Sequence, residues 1–380
     1  MKIGIISFWQ TQDNYGQVLQ CVALQKVLRD RGHSPELIRY DSESHKSNEW
    51  MWIVRRGMLY TLGWKIMHHL DLKNDRKQRK IAAQHIAERE FDAFKQEHLR
   101  FSEQSWHSIS EIESKPPQYD AYISGSDQVW SGDISETRNR AFFLSFAPMS
   151  APRIAYAASF GRAKYPYVKL PELGALLSRF DAISVREHSG EEICRQCGYP
   201  ARTVLDPTLL LKAEDYDAIA GPTVKGEPFA FIYNINIRSG EEMDARALNA
   251  YISSRGLRTR STSSTGHLPA IELFPGTEWP TIPRWIALIR DSEIVATSSF
   301  HGVMLSIIYK RNFIFYPLEG EFSSGNARVT ELLWQLGLES RIWREGFDYN
   351  AATIIDWNTV TSRLDKLRAA SFDYLKRNGI

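Results

Sequence analysis

The sequence predicts an α/β protein of two Rossmann-like domains facing across a cleft, and three observations predict it. Short apolar runs alternate with helical patterns along 380 residues, the signature of parallel sheets covered by helices. The alternation passes through two cycles, divided by the turn-forming cluster Ala220-Gly-Pro-Thr-Val-Lys-Gly-Glu-Pro228. The length exceeds one ordinary core, so two domains are expected, residues 1–218 and 219–380.

In the first cycle the strands are Ile3 to Phe8, Glu36 to Tyr40, Ala121 to Ser124, Ile154 to Ala158, Ala182 to Arg186 and Thr203 to Leu205. Between the first two lies a helix from about Gly16 to Arg31, because Val18, Leu19, Val22, Leu24 and Leu28 fall near a 3.6-residue period and Gly32 ends it. The second cycle has strands at Phe229 to Asn234, Leu257 to Ser261, Glu293 to Thr297 and Asn312 to Tyr316. Thr353 to Lys376 reads as a final helix placed to cross back onto the first domain.

One run in the second cycle carries chemistry. From Ile294 to Met304 the apolar, β-branched half reads as a buried parallel strand, the polar half as its carboxyl-end turn, and Val303 to Tyr309 as the start of a helix. Ligands of open α/β sheets sit at such turns. His301 there, between Ser299 and Gly302, is a candidate proton donor, with the helix start available to an anion.

Composition narrows the class. With 43% hydrophobic and 24% charged residues the chain has the balance of a soluble enzyme, and a formal charge of +2 argues against nucleic acid as a partner. Three cysteines make no disulfide framework, which fits a reducing cytoplasm. Met1-Lys2 leads directly into the first strand with no signal-peptide pattern, and no run of eighteen apolar residues exists. A helical insertion at about residues 50–100 departs from the α/β rhythm. Its stretch from Trp50 to Lys80 is aromatic and carries eight Lys or Arg against two Asp, a local net of +6. Such a segment either touches an anionic membrane surface as a peripheral contact or caps the first domain with its basic face in solvent.

Further candidates lie at strand ends. Gly125-Ser126-Asp127-Gln128-Val129-Trp130 follows a strand, so Ser126, Asp127 and Gln128 either offer hydrogen bonds to sugar hydroxyls or cap a helix. Ala157-Ala158-Ser159-Phe160-Gly161 ends another strand with small residues that allow close backbone approach. Arg186, in Ser184-Val185-Arg186-Glu187-His188, either grips a carboxylate or phosphate or pairs with Asp206 or Glu187 to brace the domain. Asp206, before Pro207, reads first as a structural cap and second as a residue orienting a catalytic group. Cys194-Arg195-Gln196-Cys197 lacks further ligands for zinc and reads as packed thiols. No Asp-x-Asp at a strand end, no P-loop, no HExxH and no GxGxxG is present, so the sequence predicts no metal and no cofactor.

Taken in order, Asn14-Tyr15-Gly16, Leu19-Gln20, Ala23-Leu24-Gln25, the Gly125 to Trp130 run, Ala158-Ser159-Phe160-Gly161, Ser184-Val185-Arg186-Glu187, Leu205-Asp206-Pro207-Thr208 and Thr297-Ser298-Ser299-Phe300-His301-Gly302 resemble the polysaccharide pyruvyl transferase family over about residues 1–340. The departures are the insertion and Ser298, where many relatives carry asparagine. The resemblance implies a GT-B-like fold, phosphoenolpyruvate as donor, a sugar of a polysaccharide or lipid-linked glycan as acceptor, and a pyruvate ketal as product.

That chemistry assigns roles. An enol phosphate needs a proton on its methylene carbon and a clamp for its carboxylate and phosphate. His301 is the candidate acid, Arg186 and Arg328 the candidate clamp, the latter in Gly325-Asn326-Ala327-Arg328. Asp127, Gln128, Ser126, Asn14, Ser299, Gly302 and Asn326 complete the expected substrate-binding set. Against the acid role stands a buried histidine bonded to a carbonyl; against the clamp role of Arg328 stands a salt bridge to Glu331. Two readings of other classes accompany this one: a GT-B glycosyltransferase using a nucleotide sugar, and a non-catalytic glycan-binding relative.

Overall fold

A computed structural model describes residues 1–41, 80–81, 83–237, 239–264, 274–350 and 354–380, with the backbone alone at 321 and 322. The basic aromatic stretch at 50–79, read above as either a membrane contact or a cap on the first domain, lies outside those residues.

Among the described residues eleven strands form two sheets, every pair parallel. Sheet one contains β1 (Lys2–Ile6), β2 (Ser34–Tyr40), β3 (Phe101–Trp106), β4 (Ala121–Ser124), β5 (Arg153–Ala158), β6 (Ala182–Val185) and β7 (Arg202–Thr203), in the order β3-β2-β1-β4-β5-β6-β7. Sheet two contains β8 (Phe229–Asn234), β9 (Arg258–Ser263), β10 (Ile294–Thr297) and β11 (Asn312–Phe315), in the order β11-β10-β8-β9. Residues 220–228 run between the sheets without helix or strand.

Ten of these strands overlap runs read from the sequence, β7 by Thr203 alone, and β3 is the addition. Its sequence Phe-Ser-Glu-Gln-Ser-Trp is mostly polar because it is an edge strand with exposed positions at Glu103 and Gln104. The apolar periodicity that marks a doubly covered strand is therefore missing there.

Each sheet has a point where the chain reverses its direction of growth, between β1 and β4 in sheet one and between β8 and β10 in sheet two. Ligand crevices of open α/β sheets form at the carboxyl ends of the strands at such points. One apolar cluster joins the two sheets: Ile5 and Ile123 of sheet one share it with Phe231 and Val295 of sheet two. At the seam Tyr15 stacks on Trp285, ring centroids 5.0 Å apart and nearly parallel, and its hydroxyl donates to the Pro280 carbonyl (2.8 Å).

The last helix, Trp357–Arg377, starts at Asp356, whose carboxylate accepts from the Asn358 and Thr359 amides. It packs on sheet one. Ser371 Oγ accepts from the Leu205 amide (2.9 Å), Tyr374 donates to the Ala155 carbonyl (3.0 Å), and Arg368 donates to the Leu209 and Leu211 carbonyls. A segment that follows sheet two in sequence thus completes the cover of sheet one.

Candidate active site at the seam of the two sheets

Three turns after strands of sheet one deliver a charged cluster. Arg186, next after β6, donates through Nη1 to Asp206 Oδ2 (2.8 Å) and through Nη2 to Asp127 Oδ1 (3.1 Å). Its side chain is 1% exposed, and those two carboxylates occupy both prongs of its fork. Asp206 is more than a cap. It accepts from the Thr208 amide (2.9 Å) and Thr208 hydroxyl (2.7 Å) through Oδ1 and from Ser126 Oγ (2.7 Å) through Oδ2. Burial works against its ionised form, but Arg186 and these donors hold it down at about 2. Asp127 has φ +85, a left-handed conformation that costs a non-glycine residue about 1–3 kcal/mol. Its Oδ2 accepts from Gln17 Nε2 (3.2 Å), and its acidity is likewise enhanced by Arg186 against burial.

Sheet two supplies His301. Its helix begins at Phe300, three residues before the position expected from sequence, because Ser299 Oγ accepts from the Gly302 amide (3.3 Å) as an N-cap. His301 therefore stands in the first helical turn and not in a loop. Gly302 is required by packing: a Cβ there would lie 2.6 Å from Thr297 Oγ1. His301 Nε2 lies 3.9 Å from Asp206 Oδ1, across the seam, and is buried without a hydrogen bond. The other side of the ring meets Gly16, where a Cβ would come within 2.0 Å of His301 Nδ1. Burial pushes the imidazole down to about 4, against the opposing pull of Asp206. The ring is neutral at pH 7, whereas an ordinary imidazole with a value near 6.5 would keep about a quarter of its protons there.

Phe300 lies between the two arginines, its ring centroid 5.0 Å from the Arg186 guanidinium and 5.5 Å from that of Arg328. Arg328 is half-buried, donates weakly to the Gly325 carbonyl (3.4 Å) and forms no ion pair among the described residues. Glu331 does not bridge to it; it accepts instead from the His188 amide (2.9 Å). Burial and then the Arg186 charge push Arg328 down to about 10. Arg186, Arg328, Asp206, Phe300 and Glu331 border a cavity of about 90 Å³.

The remaining expected residues divide. Ser126 bonds Asp206, and Gln128 stands half-buried close to Gly161, where a Cβ would lie 2.9 Å from its Nε2. Asn14 caps the helix Tyr15–Asp30 by accepting from the Gln17 amide, one turn from Asp127 through Gln17. Asn326 is bonded within its own segment, its carboxamide accepting from the Leu318 amide (2.9 Å) and donating to the Leu318 carbonyl (2.7 Å) in the loop before its helix. Arg186 and Arg328 share the cavity but do not form an open pair of cations, since Arg186 is neutralised twice. Sequence reading gave no role to Gly16, Gln17 and Phe300, although Gly16 and Phe300 lay within quoted motifs. Cys194 and Cys197 are free thiols, Cys194 buried and Cys197 half-buried, and among the described residues no group of three His, Cys, Asp or Glu is placed to hold a metal.

Two parallel α/β units with a histidine, two arginines and two carboxylates at their shared seam define a two-sheet α/β protein with a polar interdomain site. Residues 14–319 match the family model of polysaccharide pyruvyl transferase, and the chain belongs to that family of transferases. No curated protein matches the sequence. Among solved structures the chain is similar to S. aureus MnaA with UDP (10% identity, TM-score 0.48, 96% of this chain and 90% of that one) and to Arabidopsis thaliana UGT89C1 complexed with UDP-L-rhamnose (10%, 0.48, 99% and 97%). A UDP-GlcNAc 2-epimerase from Neisseria meningitidis bound to UDP-GlcNAc is similar at 8% identity and TM-score 0.46, over 100% and 94% of the two chains.

Proposed function

We propose that this protein transfers the enolpyruvyl unit of phosphoenolpyruvate to two hydroxyls of a glycan sugar, forming a pyruvate ketal and releasing phosphate. The observation that carries the reading is His301 held at the seam between Asp206 and Gly16, with Asp206, Phe300 and two arginines bordering a cavity that His301 itself does not line, in a chain of this family. Arg328, which forms no ion pair among the described residues, is the cation for the donor's anionic groups; Arg186 sets the site's geometry through Asp127 and Asp206 and keeps one unbonded donor, its Nε. A donor carrying a carboxylate and a phosphate brings negative charge beside the imidazole and raises its proton affinity toward neutrality.

The protons balance through His301. The methylene carbon gains one proton from the imidazolium, leaving an oxocarbenium-like C2 that a sugar hydroxyl attacks. The C2–O bond to phosphate breaks, the second hydroxyl closes the ketal, and the two hydroxyl protons end on the new methyl group and on phosphate. Left neutral once its proton has gone to carbon, the ring collects the first of them. Asp127 and Gln128 face the sugar from sheet one. No described helix is long and apolar enough to cross a membrane, and we place the reaction in the cytoplasm, where the free thiols persist.

The test is direct. Purified protein with phosphoenolpyruvate and a panel of glycan acceptors releases phosphate and adds one pyruvyl mass to an acceptor. Absence of phosphate release together with absence of donor binding in calorimetry overturns the reading, and stabilisation by nucleotide sugars alone replaces it with a glycosyltransferase.

A further inference from the structure

A second set of polar groups lies outside that cluster. Asn234 ends β8, is 1% exposed, and among the described residues neither Nδ2 nor Oδ1 has a hydrogen-bond partner. Ser263 ends β9 and is the register partner of Asn234, so both side chains leave sheet two on the same face; its Oγ is also buried and unpartnered. A buried carboxamide with both halves unbonded is rare in proteins, and a leucine of the same shape would avoid the loss. Its retention points to a partner that comes from outside the chain.

The position agrees. β8 lies between β9 and β10, at the point where sheet two changes direction. The residue after Asn234 is tied to the turn that carries His301, since the Ile235 amide donates to Ser298 Oγ (2.9 Å) and that hydroxyl donates to the Ile235 carbonyl (2.8 Å). Chemistry selects the ligand class. An amide and a hydroxyl each present donor and acceptor without charge, and Arg89 Nη2, which reaches Ser263, is taken by its carbonyl (2.7 Å). The two side chains carry no charge themselves, so the partner they fit is rich in paired donors and acceptors, as vicinal sugar hydroxyls are.

We propose that Asn234 and Ser263 form a saccharide subsite that binds a neutral sugar ring of the acceptor. Its identification as the acceptor's rests on the pyruvyl-transfer reading; saccharide binding itself does not. In the full-length protein, Asn234→Leu and Ser263→Ala are compared with wild type by saturation-transfer NMR with chitobiose, lactose, cellobiose and mannobiose, by calorimetry with phosphoenolpyruvate, and by thermal unfolding. At least one disaccharide binds wild type; Asn234→Leu weakens it about tenfold and Ser263→Ala about threefold, phosphoenolpyruvate affinity changes less than twofold, and Asn234→Leu unfolds at or above the wild-type midpoint. No disaccharide binding by wild type, or equal binding by wild type and folded Asn234→Leu, overturns the subsite and leaves the groups to an internal water. If Asn234→Leu does not fold, unchanged affinity in Ser263→Ala overturns it. Disaccharide binding that falls as expected while phosphoenolpyruvate neither binds nor reacts upholds the subsite and overturns the pyruvyl-transfer reading.

Discussion

Burial acts on His301 and Arg186 in the same direction, yet their neighbours lead to opposite results. Desolvation pulls the guanidinium down, and Asp206 and Asp127 at hydrogen-bonding distance more than reverse it; the imidazole has Asp206 only at 3.9 Å and stays low. Removing the arginines is thus expected to separate two roles. Arg186→Ala leaves two buried carboxylates facing each other and costs about 3–5 kcal/mol of stability, read by denaturant unfolding. Arg328→Ala breaks no ion pair, keeps stability within about 1 kcal/mol, and weakens phosphoenolpyruvate binding about tenfold or more in calorimetry. Equal destabilisation by both would refute the distinction. For His301, the folded value of about 4 lies below the unfolded value near 6.5, so the unfolded chain binds more protons between them and stability falls as pH is lowered through that window. The loss is on the order of 3 kcal/mol. His301→Gln is expected to flatten this acid dependence in pH-resolved unfolding while lowering turnover about 10²- to 10⁴-fold. An acid slope unchanged in the variant would show that another group titrates.

The helix Phe300–Ile308 is the element that fixes the reacting histidine, and its seat on β10 depends on a missing side chain. Thr297 Oγ1 donates to the Tyr233 carbonyl and accepts from the Ser299 amide, so it cannot yield to a methyl group at residue 302. Gly302→Ala is expected to lift the helix start by a few tenths of an ångström, to cost about 1–3 kcal/mol, and to reduce turnover about tenfold or more with phosphoenolpyruvate still bound. Steady-state kinetics and calorimetry check it, and unchanged turnover rules it out. The same element explains why the sequence placed its start late. Ser298-Ser299-Phe300-His301-Gly302 lacks an apolar period and carries a glycine, but the cap at Ser299 outweighs that local preference.

At the scale of the whole molecule, the two sheets are one packed body at their seam. Arg89, buried and without an ion pair among the described residues, donates to the Tyr15 hydroxyl (3.0 Å), the Asp13 carbonyl (3.4 Å) and the Ser263 carbonyl (2.7 Å), and lies over the Trp279 ring. It links the first helix to the end of β9. Arg89→Ala is expected to lower stability by about 2–3 kcal/mol, and an unchanged unfolding midpoint would show that Tyr15 and Trp285 hold the seam without it. What the sequence by itself determined is the pair of parallel sheets and the turns that bear chemistry, because buried strands need unbroken apolar runs and their carboxyl ends need polar, glycine-rich turns. It also marked Asp127, Arg186, His301 and Arg328 by residue type. Only the tertiary structure decided which of these meet: that Arg186 is spent on two carboxylates, that Asp206 faces the histidine, that Asn326 serves its own loop, and that Gly16 is small because His301 occupies its space. Those facts depend on distances between segments far apart in the chain, which no local pattern encodes.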